Sequence, residues 1–547
     1  MAVVVRPSKT WLWVHLASLA VILAVLTVAC RGQWFFGDEW DFILNRGLHH
    51  PMWGLLYPHN EHWSTLPILW WRATYSVFAL RTYWPYLFGL FATHLIVVHC
   101  SWRLMLRAGV NVALATAFAV VFGLYGAGSE NLQWAFQVGF VGSLAAGMLL
   151  LLLVDDRGET RRVALVAVGA IAALMLSGIS VFMVFAVGLA ALARWGWRKA
   201  LAATAPAGVV YLVWLKFQGD VGLQGANKQY HGGPDDIPRY VWGGISSAFG
   251  APFKSHRVGE AFLVVFLVVV ALRARDWWRR APVVCALAVA SPVMFAVISQ
   301  GRGAIQSPAA GRYLYLCAGM LIPFIAFAVQ QVVDSETPRL AGALVLCAVL
   351  VVLGTHELFQ NVHYDRDNDL TLRGQMLASL TISKTEPVVS DRPDFMYAGD
   401  VTVAALHRLD RRGELPAFTA NVANLAYARL ALELAVTRDP RPATVTATAP
   451  LPPEAIVQPN GACASVDLHG ANAVIRRTAA KAIFSVTSRT AQRASLFVPV
   501  EGGGNAGPRL VQFAAGQTYT IHDVLAGDVI LQLQGPATIC GVTWTQS

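Results

Sequence analysis

The run Trp11 to Cys30, WLWVHLASLAVILAVLTVAC, is followed a few residues later by Gly37-Asp38-Glu39-Trp40-Asp41. About 20 uncharged, apolar residues suffice for a helix to cross roughly 30 Å of hydrocarbon. Arg6 and Lys9 precede the run, which places the N-terminus in the cytoplasm and the acids on the external face. A signal peptide is the competing reading, but the run is long and lacks a small-residue cleavage site before the polar loop, so it reads as an uncleaved helix. Further on, His59-Asn60-Glu61-His62-Trp63 repeats the crowding of acids and aromatics. An ordinary solvated loop is the plainer reading. Acids, His and Trp concentrated beside a bilayer favour a functional loop at the membrane surface.

Working outward, the composition agrees. The chain has 547 residues, 56% hydrophobic and 14% charged, and a mean hydropathy of +0.50. That is too apolar for a soluble globule of this length and marks an integral membrane protein. The net charge of +10 does not indicate nucleic acid, because Lys and Arg cluster between apolar runs, where they orient spans.

Apolar runs recur near 84–106, 109–126, 134–154, 163–177, 179–193, 199–217, 259–273, 282–299, 313–333 and 338–355, predicting about eleven spans in a domain over residues 1–355. That count puts Arg103/Arg107, Arg157/Arg161/Arg162, Arg194/Arg198/Lys199 and Arg273/Arg275/Arg279/Arg280 on one face. It requires Ser177-Gly178-Ile179-Ser180 to split 163–193 into two short helices. Within the external loop 31–83, Leu66 to Leu80 reads as an interfacial helix with Trp70, Trp71 and Tyr75 at headgroup depth. The other external segments are 126–133, 218–258, 301–312 and everything after His356.

Residues 356–439 read as mixed helix, with helical periodicity from Asn421 to Val436, and 440–453 as a Pro-rich linker. From 454 to 547, short Val, Ile, Thr and Phe runs alternate with Gly turns, predicting a β-sandwich in which Gly502-Gly503-Gly504 is a turn. The fold expected is a polytopic α-helical membrane protein with a soluble C-terminal α+β region. Cys463 and Cys540 share that region and can form a disulfide between its first and last strands if it is exported. The other five cysteines lie in apolar runs.

Asp38, Glu39 and Asp41 are the first candidates for chemistry, since desolvation at a membrane edge makes a carboxylate a stronger base. His59, Glu61 and His62 form a second set, open to a divalent cation, to a hydroxyl-bearing substrate or to polar packing alone. Arg302 and Arg312-Tyr313 form a third, suited to phosphate or pyrophosphate, with snorkelling to lipid headgroups as the alternative. The 218–258 loop adds Lys228, Tyr230, His231, Asp235, Asp236 and Arg239 without diagnostic spacing. Asp365, Asp367 and Asp369 alternate like an EF-hand, but Leu370 and Met376 stand where Gly and Glu are needed. Walker A and G-x-S-x-G patterns are absent, and the glycine run from Gly502 lies between predicted strands rather than opening a helix, so it reads as a turn and not as a dinucleotide fingerprint.

The acidic motif in the first external loop, the interfacial helix, the spans and the external C-terminal domain together resemble the GT-C superfamily of membrane glycosyltransferases. The resemblance covers residues 1–355 and implies a polyprenyl-phosphate sugar donor, a cell-envelope glycan or glycolipid acceptor, and inversion at the transferred sugar. By it Asp38 matches the general base with Glu39 as its neighbour, and Arg302 with Arg312-Tyr313 is similar to positions that hold the lipid phosphate. The sandwich looks like the carbohydrate-binding modules of actinobacterial cell-wall transferases. The expected setting is the plasma membrane, with the C-terminal domain extracytoplasmic and no nucleic-acid partner. The alternative is a lipid-linked-sugar transporter or a glycan-binding scaffold, for which ionisable residues deep in the spans would be required. Only His94 and His99 answer that requirement.

Overall fold

The computed structural model describes residues 5–545, apart from 49, 157, 224–232, 234, 304–305, 334–337, 387, 395–396, 440–443, 454, 479 and 526. Its contacts divide the chain into two units. The first comprises Met1–Gln33, Arg46–Phe78 and Tyr83–Arg366, and the second Trp34–Asn45, Ala79–Thr82 and Asp367–Ser547.

The first unit is helical: α1 (Lys9–Ala29), α2 (Thr65–Phe78), α3 (Trp84–Arg107), α4 (Val112–Gly123), α5 (Glu130–Gln133), α6 (Val138–Val154), α7 (Thr160–Leu174), α8 (Ser180–Trp195), α9 (Trp197–Leu223), α10 (Asp236–Gly250), α11 (His256–Arg280), α12 (Pro282–Arg302) and α13 (Gly311–Gln330). Helix α14 (Pro338–Thr385) carries on through residue 355, where the sequence suggested a boundary, and its residues from Asp367 belong to the second unit. A helix lies on every apolar run expected from the sequence. Among the described residues seven segments are long and apolar enough to cross a membrane: α1, α3, residues 135–154, α9, α12, α13 and α14. The apolar stretch of α11 is cut short by Glu260 and Arg273.

Local chemistry sets the ends of these helices. Ser8 caps α1 by accepting from the Trp11 N–H, and Asn111 caps α4 by accepting from the Ala113 N–H. Gly196, at φ 81°, ends α8. The break between α7 and α8 has its own polar bonds: Ser180 Oγ donates to the Ala173 carbonyl at 2.5 Å and meets Ser143 Oγ at 2.8 Å, so a freed α7 carbonyl is paired inside the bundle. Two short helices are what the structure contains. Close packing needs small residues, as at Gly319, where an added Cβ would come within 2.5 Å of Leu144.

Two readings are corrected here. Trp71 is not at a headgroup surface but buried against Tyr86, and Arg72 is buried too, its Nε donating to the Arg46 carbonyl at 2.8 Å. The 218–258 segment is not one open loop, since α10 forms from Asp236; Lys228, Tyr230 and His231 lie outside the described residues, as does Arg157.

The second unit contains α15 (Val403–Arg411), α16 (Val422–Leu432) and twelve described strands. These are β1 (Leu434–Thr437), β2 (Ala447–Pro450), β3 (Ile456–Asn460), β4 (Cys463–Asp467), β5 (Asn472–Arg477), β6 (Ala482–Ser488), β7 (Gln492–Pro499), β8 (Asn505–Phe513), β9 (Thr518–Asp523), β10 (Val529–Leu533), β11 (Ala537–Cys540) and β12 (Val542–Thr545). They form two six-stranded sheets, β1-β9-β6-β11-β4-β3 and β12-β2-β5-β10-β7-β8. Alternate residues such as Ala494, Leu496 and Val498 of β7 point into one apolar core.

The sandwich is larger than the sequence suggested. Val436, expected in a helix, pairs with Ile521 in β1–β9, and β2 lies inside the stretch read as a linker, whose residues 440–443 are outside the described set. Gly502, Gly503 and Gly504 all have positive φ and turn β7 into β8. Cys463 and Cys540 are disulfide-bonded, joining the neighbouring strands β4 and β11 rather than the first strand and the last.

Candidate functional site

The site is built around a tight turn. His59 and His62 exchange both backbone hydrogen bonds at 2.9 Å, with Asn60 at φ 51°, a left-handed conformation that Asn tolerates better than most residues. The turn presents Glu61 at its tip. Arg302, the last residue of α12, grips that carboxylate with two nitrogens: Nη2 donates to Oε2 at 2.6 Å, and Nε pairs with Oε1. This is a bidentate fork, the strongest geometry for a guanidinium and a carboxylate.

His62 is placed by the break between α7 and α8. Its Nδ1 accepts from the Gly178 N–H at 3.2 Å, which assigns the proton to Nε2, 3.6 Å from Glu61 Oε1. Gly178 is required for that approach, because an added Cβ would stand 2.8 Å from Nδ1. Burial lowers the His62 imidazole to about 4; Glu61 opposes the shift and Arg302 reinforces it, so the ring is neutral at neutral pH. For Glu61, burial pushes the carboxyl up, but His62 and the Arg302 guanidinium outweigh it, and the net lies below the ordinary value. Glu61 is therefore ionised and a weak base.

A cavity of about 360 Å³ opens onto this cluster. Glu61, His62, Arg302, Tyr211 and Tyr313 are its polar lining, and Phe140, Ile179, Phe182, Trp214, Val297 and Ile298 supply apolar walls. Trp214 is held by stacking on Trp63 and by donating to the Leu56 carbonyl at 2.8 Å. The volume lies within the range of roughly 300–1,000 Å³ usual for small-molecule sites.

Arg312 also has a carboxylate partner. Its Nε lies 3.3 Å from Glu130 Oε1, and its backbone N–H donates to Oε2 at 3.1 Å, so Glu130 sits at the N-terminus of α13, where the helix dipole favours negative charge. Burial raises the Glu130 carboxyl; Arg312 pulls it back only in part. Tyr313 donates from its hydroxyl to Gln306 Oε1 at 3.1 Å.

The structure thus brings Glu61, His62, Arg302 and Tyr313 to one cavity. The His59 ring is buried against Phe136. Asp38, Glu39 and Asp41 belong to the second unit. There Glu39 is fully buried and accepts from the Phe36 N–H at 3.1 Å, and Asp41 accepts from Asn45 Nδ2 at 3.0 Å. Asp38 is half-buried in the same turn. Among the described residues no group of three or more His, Cys, Asp or Glu is placed to hold a metal ion. No protein-family model matches this chain, and no curated protein matches it.

Sequence reasoning missed Glu130 and Gly178 as parts of this chemistry. The first lay in a short loop expected on the same face as Arg312. The second lay in the break that separates two helices. An arginine beside an apolar cavity calls for a buried counter-charge, and that requirement was the available signal.

Proposed function

We propose that this protein is an inverting glycosyltransferase of the plasma membrane that moves a sugar from a polyprenyl-phosphate donor to a cell-envelope glycan or glycolipid. The observation that carries the reading is the cavity beside α12: apolar walls closing on a forked Arg302–Glu61 pair suit an amphiphile with an anionic head and a hydrocarbon tail. In this reading about eleven helices span the bilayer, and the soluble region is external.

In the reaction the acceptor hydroxyl oxygen forms a bond to the anomeric carbon as the bond from that carbon to the phosphate oxygen breaks. The phosphate leaves with the bonding pair, and Arg302 stabilises the added charge. A carboxylate takes the hydroxyl proton. Asp38 is assigned that role on the sequence motif alone, since Glu61 is held ionised by its ion pair.

The test is transfer of radiolabelled sugar from a panel of polyprenyl-phosphate donors in proteoliposomes, comparing wild type with Arg302→Gln and Asp38→Asn. Loss of transfer in both well-folded variants is expected. Full activity in either would refute its assigned role. Tight donor binding by wild type without transfer would favour a transporter or scaffold.

A further inference from the structure

Helix α11 is pinned to its neighbours near both ends and leaves a crevice between. At one end Gly250 and Gly259 let α10 and α11 meet backbone to backbone, since an added Cβ on Gly259 would collide with the Ser246 carbonyl oxygen. At the other, Trp277 is buried edge-on against Phe324 and Phe327 of α13, with ring centroids 5.5 and 5.8 Å apart. The crevice between these contacts has a volume of about 450 Å³ and is walled by α10, α11, α12 and α13.

Its lining narrows the occupant. The described lining residues are apolar apart from the Cys285 thiol and the Trp indoles, and the Trp242 indole N–H already donates to Glu260 at 3.0 Å. A polar ligand would lose its hydration there without gaining partners. From Leu263 to Trp278 the α11 wall runs for about 22 Å. A helix of that length, about 10 Å across, fills on the order of 1,700 Å³. The helix of a second copy therefore does not enter the crevice, whereas a single hydrocarbon chain does.

Basic residues gather at the Trp277 end. Arg273, Arg275, Arg279 and Arg280 are exposed on the last turns of α11 with Asp276 as the acid among them, whereas at the start of the helix Arg257 is offset by Glu260. Ala274 and Trp278 line the crevice, and Arg275 and Arg279 follow them directly in sequence, one helical turn apart. Arg280 Nη1 donates to Gln331 Oε1 at 3.3 Å, which fixes this cluster at the C-terminal end of α13. Arg302 lies at the far end of α12, whose 21 residues span about 30 Å. An apolar crevice ending beneath arginines fits an amphiphile with a phosphate head and a hydrocarbon tail, its head at the end of the bundle opposite the Arg302 cavity.

We propose that this crevice holds one tail of an anionic phospholipid whose phosphate sits among Arg275, Arg279 and Arg280. The ligand is a lipid of the bilayer itself, and its binding does not depend on the transfer reaction.

The experiment titrates the full-length protein in detergent with phosphatidylglycerol, phosphatidylcholine or polyprenyl phosphate and follows binding by native mass spectrometry. Phosphatidylglycerol is expected to bind about tenfold more tightly than phosphatidylcholine. Arg275→Gln/Arg279→Gln should reduce that preference to less than about threefold. Ala288→Trp, on the α12 wall, should weaken phosphatidylglycerol about tenfold by filling the crevice. If Ala288→Trp loses its thermal transition, Val270→Trp, on the α11 wall, gives the same readout. Equal binding of the two phospholipids, an unchanged preference in Arg275→Gln/Arg279→Gln, or wild-type affinity in Ala288→Trp and Val270→Trp would overturn the assignment. So would displacement of bound phosphatidylglycerol by an equimolar amount of polyprenyl phosphate.

Discussion

Replacing Glu433 by Gln should stabilise the second unit at alkaline pH and leave it unchanged near pH 5. Glu433 is 1% exposed, and neither of its oxygens has a hydrogen-bond donor among the described residues. Its neighbour Glu386 is forked by Arg429 at 2.8 and 3.1 Å, and the Arg429 Nε stands 3.7 Å from Glu433 Oε1. Burial, then Glu386, raises the Glu433 carboxyl from 4.5 to about 8, so it is protonated at neutral pH.

The sign follows from proton linkage. Above about 4.5 the unfolded chain releases this proton, while the folded unit keeps it until about 8. Folding therefore takes up a proton through that window, and stability falls as pH rises through it. At about 1.4 kcal/mol per unit the shift gives an upper bound of about 5 kcal/mol, and sharing of the proton with Glu386 brings the expected loss to roughly 2–3 kcal/mol. Glu386 itself is lowered, chiefly by its Arg429 hydrogen bond, so its stabilising effect is complete before the window opens. Asp523, raised by burial to about 6, has the same sign as Glu433 but is present in both proteins and largely cancels in the difference. Hydrogen exchange of amides over 422–437 in the full-length protein, corrected for intrinsic rates from pH 5 to 9, measures the gap. Parallel profiles for wild type and Glu433→Gln, or a variant less stable at pH 8.5, would refute the reasoning.

Three further outcomes are expected. Gly178→Ala should raise the donor KM several-fold with a smaller effect on kcat, because its Cβ pushes His62 from the cavity wall; unchanged steady-state kinetics would count against that placement. Arg302→Lys should lose roughly 10²- to 10³-fold in transfer rate, nearly as much as Arg302→Gln, since an ammonium cannot form the fork on Glu61; recovery by Lys would show that charge alone suffices. Removing the Cys463–Cys540 bond, which closes 77 residues of chain, should destabilise the sandwich by about 2–4 kcal/mol, read as a lower thermal transition in Cys463→Ser/Cys540→Ser.

What the sequence by itself determined is local. A helix lies on each apolar run because a backbone in an apolar environment must bond to itself, and Ser177 to Ser180 parted α7 from α8 because polar and small residues interrupt that run. Short Val, Ile, Thr and Phe runs between Gly turns found most of the sandwich, as in β7, whose burial alternates with a period of two. Only the tertiary structure decided the rest. Leu434 to Thr437 continue a helical pattern but become β1 because β9 offers Val436 and its neighbours a ladder, and four residues have too little intrinsic preference to resist it. The site was legible as residue types and illegible as pairs. Arg302 meets Glu61 across 241 positions, and Arg312 meets Glu130 across 182, so their partners are set by how the bundle returns on itself. Local periodicity tells which face of an element is buried, whereas the partner of a buried charge is chosen by packing between elements distant in sequence.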